Sequence, residues 1–188
     1  MAATTTAKTW RYEDLFDLPD DGKRYEIIDG ELYEMPAPGL DHAIVLMNII
    51  TRLLPVATSI GARLLTAPVD VFFGGANPVQ PDILVLLPDR FRLMSKRGIE
   101  GAPDLLIEVL GPSNPEHDRV RKRTLYARGG VREYWLVTPE AATIEVHVLD
   151  GEVYRTHVRA ATDEPVSSTV LPGLSFPASD AFVSPVAG

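Results

Sequence analysis

Cysteine is absent from the chain. That excludes a disulfide scaffold, a zinc ribbon and a cysteine nucleophile at once, and it fits a reducing compartment. No run of about 18 consecutive apolar residues occurs, so no membrane-spanning helix is expected. The opening segment MAATTTAKTW lacks the apolar stretch of a secretory signal. A cytoplasmic location is the resulting expectation. Internal repeats and coiled-coil heptads are also missing. Positive charge is in short supply: 18 Lys and Arg face 26 Asp and Glu, for a net charge of −8. Bulk, nonspecific attraction to nucleic acid is therefore disfavoured.

The composition that remains is that of a globular α/β protein, with 188 residues, 45% hydrophobic and 23% charged. Such a chain can bury a sizeable core without metal or disulfide support. A single domain is expected over residues 9–183, between a disordered N-terminal tail (1–8) and a short C-terminal tail (184–188). The acidic balance hides one basic stretch: Arg119, Arg121, Lys122, Arg123, Arg128 and Arg132 follow Asp118 with no other acid among them. It reads either as a solvated helix face or as a patch that meets phosphates.

Turn chemistry and periodicity set the elements. Asp29-Gly30 separates two strand-like runs and predicts a type I′ hairpin, with strands at Arg24–Ile28 and Glu31–Met35. A short helix is predicted over Thr9–Leu18, ended by Pro19. After PAPG, Asp41 can cap a helix whose apolar residues recur at helical spacing, and Pro55 predicts a kink or an end near Leu54. Strands are expected at 62–66, 69–73, 82–87 and 105–110, the last two central. Residues 88–101 read as an irregular connection carrying Arg90, Arg92, Lys96 and Arg97. A helix over 116–128 should stop at Gly129-Gly130, before strands at 133–138, 143–149 and 153–158. LPGLSFP should fold back onto the body. The order implies a mixed β-sheet flanked by helices.

Chemistry concentrates at a few carboxylates. Glu108 stands inside the apolar run DLLIEVL, and a carboxylate buried there is costly unless paired or bound to metal. Asp104 lies four residues away on the same strand, roughly 13 Å by strand rise, too far to share a small cation with it easily. Asp82, after Pro81 on another strand, can converge with Glu108 if the strands are neighbours at about 4.8 Å. Asp104 then reads as a residue that opens its strand. On the following helix Asp118, Lys122 and Tyr126 share one face. Lys122 there suits orienting a water or offsetting charge on a phosphate, although an Asp118–Lys122 surface pair explains the same spacing. Glu31 can be a plain hairpin residue, and His42 a capping or packing residue. His117, His147 and His157 form no ligand constellation.

YEIIDGELYEM, PVQPDILVL, GAPDLLIEVLGPSN, DRVRKRTLYARGGVREYWLV and VLPGLSF, in that order, resemble the family described as putative restriction endonucleases within the PD-(D/E)XK nuclease superfamily. The resemblance implies a restriction-endonuclease-like core and Mg²⁺- or Mn²⁺-dependent cleavage of DNA. It also implies Asp82 and Glu108 as metal ligands, Glu31 as the upstream glutamate and Lys122 as the catalytic lysine. The superfamily pattern wants lysine two residues after the acid; Leu110 stands there, and Lys122 fits a lysine displaced to the next helix. Basic residues of that helix and of 90–97 are expected to contact phosphates. The alternatives are a nuclease fold that binds nucleic acid or protein without cutting, and a hydrolase of small phosphodiesters. A homodimer, paired through strands after Val131, is a further expectation.

Overall fold

Asp29 and Gly30 both take positive φ, 51° and 78°, as a type I′ turn demands. They join β1 (Arg24–Ile28) to β2 (Glu31–Met35), with Glu26 opposite Tyr33 and Ile28 opposite Glu31. These bounds are the ones the sequence predicts. The computed structural model describes residues 8–20, 23–35, 39–74, 78–111 and 117–184. Most of the two predicted tails therefore falls outside the described residues. The predicted N-terminal helix is a 3₁₀ helix at Tyr12–Asp17.

Helix α1 (Leu40–Ser59) follows. Gly39, not Asp41, is its N-cap, and Asp41 lies within the first turn, where it complements the helix dipole. Pro55 neither ends the helix nor sits in its packed face. Both Pro55 and Thr51, whose carbonyl loses its intrahelical donor to proline, are exposed, so water can satisfy that carbonyl. The buried stripe Val45, Ile49, Leu53, Ala57 runs on past the proline. By length and composition α1 could cross a membrane, yet this stripe lies in the core against the sheet.

The strands β3 (Arg63–Thr66), β4 (Val71–Phe72), β5 (Pro78–Val79), β6 (Ile83–Leu86) and β7 (Leu105–Val109) come next. A π-helical turn at His117–Lys122 leads into α2 (Arg123–Gly129), which ends on left-handed Gly130. Then come β8 (Glu133–Thr138), β9 (Thr143–Asp150), β10 (Val153–Ala161), β11 (Pro165–Ser167) and β12 (Ser175–Pro177). Among the described residues six strands form the main sheet, in the order β10-β9-β8-β7-β6-β3. Only β7 and β8 run parallel, joined by the α2 crossover. Of the strands after Val131 in this sheet, only β10 is at an edge.

Alternation along the central strands builds two cores. Ile83, Val85, Leu105, Ile107 and Val109 face α1 and the returning C-terminal segment, where Leu171, Leu174 and Phe176 are buried. Leu84, Leu86, Leu106 and Leu136 face α2 and the side of the hairpin. Each fully buried aliphatic side chain contributes about 1.5–3 kcal/mol. Glu108 belongs to the second face, so its carboxylate enters the layer beneath α2.

Candidate active site

β6 and β7 pair antiparallel, with Ile83 opposite Ile107. Asp82 stands immediately before β6, where the ladder ends, beside the end of β7 that carries Glu108 and Val109. Pro81, with no N–H to donate, suits the position before the strand. Asp82 is 8% exposed and Glu108 3% exposed. Asp82 Oδ2 accepts the Val109 backbone N–H at 2.8 Å and lies 3.2 Å from His42 Nε2. The Asp82 side chain is thus fastened to the backbone of the strand that carries Glu108.

Above this pair lies Lys122, 1% exposed at the junction of the π turn and α2. Its Nζ donates to Glu108 Oε1 at 3.1 Å and to Glu26 Oε1 at 3.0 Å. Tyr126, one turn on, donates its hydroxyl to Glu108 Oε1 at 2.5 Å. Burial, then the nearby Glu108 and Glu26 carboxylates, push the Tyr126 phenol well above its ordinary range, so it stays a donor. Glu26 also accepts the Gln80 backbone N–H at 2.8 Å, which ties the hairpin to the approach to Asp82. A buried ammonium is costly alone; two carboxylates offset that cost.

Three of the four site residues predicted from sequence therefore gather at one end of the sheet: Asp82, Glu108 and Lys122. Glu31 is placed elsewhere. Its carboxylate is exposed, takes the Tyr33 hydroxyl and pairs with Arg121 at 2.9 Å. The hairpin glutamate that meets Lys122 is Glu26, which sequence reasoning passed over. Its signal was the one that singled out Glu108, an acid within an apolar strand, RYEII. The Asp118 side chain, expected as a surface partner of Lys122, lies outside the described residues.

Other expectations meet the structure unevenly. Asp104, fully buried, accepts the Leu87 N–H and pairs with Arg90 and Arg132, a structural clamp. Arg90 is committed to that clamp and to the carbonyls of Ala102 and Pro103. Arg97 pairs with Glu100 and stacks 3.9 Å from the Phe72 ring centroid. These two arginines support the fold rather than standing free for phosphates. His42 makes no cap.

The donors suit a hard divalent cation. Mg²⁺ commonly takes one or two carboxylates and keeps several waters, and Mn²⁺ likewise favours oxygen. Asp82, bonded to the Val109 N–H, and Glu108, the residue before Val109, offer such a pair. Both Asp82 contacts fall on Oδ2, which leaves Oδ1 open to a cation. Among the described residues no three His, Asp or Glu side chains are gathered as a metal cage. The fit thus rests on two carboxylates and water.

A mixed sheet with helices on both faces, and acids and a lysine converging at one end, defines a restriction-endonuclease-like α/β protein. Residues 12–179 match the sequence model of Uma2, described as "Putative restriction endonuclease", and the chain belongs to that family. Among solved structures it is similar to a protein from Anabaena variabilis titled a putative nuclease belonging to DUF820. The two share 21% sequence identity and a TM-score of 0.76, over 92% of this chain and 97% of the other. That likeness extends the fold across nearly the whole chain. No curated protein matches the sequence.

Proposed function

We propose that the protein is a divalent-metal-dependent endonuclease that hydrolyses phosphodiester bonds in DNA. The observation that carries this reading is the buried contact of Lys122 with Glu108, while Asp82 is bonded to the backbone of the next residue, Val109. Asp82 and Glu108 would hold Mg²⁺ or Mn²⁺. Such an ion, when bound, polarises the scissile phosphate and makes a bound water more acidic.

The chain's own residues do the rest. The Val109 N–H on Asp82, with Lys122 and Tyr126 on Glu108, fixes the carboxylates, so that they need not reorganise when substrate binds. Lys122, oriented by Glu26, presents positive charge where negative charge grows on the phosphate. Arg121 in the π turn and Arg128 in α2, half exposed and held only in surface pairs with Glu31 and Asp29, would meet the DNA backbone by exchanging those pairs for phosphates.

A second reading, a nuclease fold that binds without cutting, is favoured by one observation: Lys122 is sealed from solvent between two glutamates. Nicking of supercoiled plasmid by the purified chain, with Mg²⁺ or Mn²⁺ and with chelator, separates the two. The nuclease reading expects metal-dependent nicking that falls at least about 100-fold in Asp82→Asn and Glu108→Gln, with folding intact. Equal cleavage by both variants, or DNA binding with no cleavage in any metal, would overturn it.

A further inference from the structure

His42 touches Asp82 but has no part in the proposed chemistry. It stands in the first turn of α1, on the opposite side of the sheet from Lys122, and 40 residues before Asp82. Its side chain is 14% exposed and its Nε2 lies 3.2 Å from Asp82 Oδ2. Its Nδ1 is buried with no hydrogen-bond partner.

Those facts select a tautomer. With the proton on Nε2, the ring donates to Asp82 and leaves only a lone pair unpartnered. With the proton on Nδ1, a buried donor would be orphaned and two lone pairs would face each other across 3.2 Å. The first arrangement is cheaper. Asp82 Oδ2 then receives two donors from different layers of the fold, the Val109 backbone N–H from β7 and the imidazole from α1. Two donors on one oxygen fix the carboxylate's rotation as well as its position. Oδ1 is thereby turned away from both.

From this geometry we infer that His42 is a positioning residue, which orients Asp82 so that its second oxygen is presented to a divalent cation. The inference rests on the proposed metal site and goes beyond it, because it assigns part of the cation affinity to a side chain that is not a ligand. Partners that hydrogen-bond a ligand in this way are commonly worth roughly 10–100-fold in metal affinity.

Calorimetric titration of the full chain with Mn²⁺ alone tests it, with thermal unfolding of each variant as the control. His42→Ala should weaken Mn²⁺ binding by roughly tenfold or more. His42→Leu, which fills the space but cannot donate, should match it and carries the comparison if the alanine variant does not fold. His42→Gln, whose amide N–H reaches a similar point, should restore affinity to within about threefold of the wild type. Wild-type affinity in His42→Leu, alongside loss of binding in Asp82→Asn, overturns the role of His42 while leaving the metal site standing. A glutamine variant as weak as the leucine variant also overturns it, since the donated hydrogen bond would then not be what matters. Unchanged binding in Asp82→Asn removes the metal site, and the inference with it.

Discussion

Lys122 and Glu26 are 96 residues apart in the chain, and their side chains meet 3.0 Å apart, almost entirely out of water. The same ammonium reaches Glu108, only 14 residues before it. A locally built contact and a distant one therefore share a single charge.

Removing that charge should be expensive. Lys122→Met leaves Glu26 and Glu108 buried beside each other without the cation, and loss of one partner of a buried ion pair costs about 3–5 kcal/mol. Urea unfolding should show a drop of that size. Adding Glu26→Gln should recover part of it, because one of the stranded charges is then gone. An unchanged midpoint in Lys122→Met would show that the ammonium contributes nothing to folding.

Alkaline stability should depend on two phenols. Burial raises Tyr126, with Glu108 and Glu26 adding to it, and burial raises Tyr154. In the unfolded chain both would ionise near about pH 10. Their contribution is complete below that value and is lost as pH rises past it, since the unfolded chain gives up the protons first. Denaturation measured across a pH series should show stability falling above about pH 10, less steeply in Tyr126→Phe. At neutral pH Tyr126→Phe should cost about 1.5–3 kcal/mol for its hydrogen bond to a carboxylate.

On the acid side the marker is His147. Burial, then the nearby Arg123, holds its imidazole below the usual value, against a smaller opposing pull from Glu145. The unfolded chain takes up this proton near about pH 6.5, before the folded one does. Stability linked to His147 is thus present above that pH and lost as pH falls toward the depressed folded value. An NMR titration should place the His147 midpoint below about 6.5, and His147→Gln should flatten the acid limb of the stability curve. A midpoint at or above that value would contradict the assignment.

Glu133 offers a test of the C-terminal return. It is fully buried and receives Trp135 Nε1 at 2.7 Å, Ser168 Oγ at 2.6 Å, and both the N–H and hydroxyl of Thr169 at 2.6 Å. Glu133→Ala orphans these donors together and should destabilise by on the order of 3 kcal/mol. Hydrogen exchange should quicken first at residues 168–171. Uniform quickening across the whole sheet instead would mean that the segment does not open separately.

Much of this architecture was legible in sequence because it is written in local chemistry. Asp29-Gly30 and Gly129-Gly130 mark their turn and helix end through backbone freedom, and Glu108 is conspicuous because its neighbours are apolar. Glu26 was missed for a reason of register. Glu26 pairs with Tyr33 and Ile28 with Glu31, so Glu26 and Glu31 lie on one hairpin face, and only docking decides which reaches the lysine. The contact of His42 with Asp82 joins a helix to a strand 40 residues away, and no local pattern announces it. Pro55 does not end the helix because the rule against proline in helices assumes a carbonyl with nowhere else to turn, and here both Pro55 and Thr51 are exposed residues that water can reach.

Among the described residues, β1 and β2 form a ribbon of their own, outside the ladder of the main sheet. Glu26 rides on that ribbon, while Lys122 and Glu108 belong to the β7–α2 crossover. Peeling the ribbon back would therefore strip Glu26 from the ammonium, and the amides of residues 25–34 become a gauge of how often that side of the lysine is uncovered.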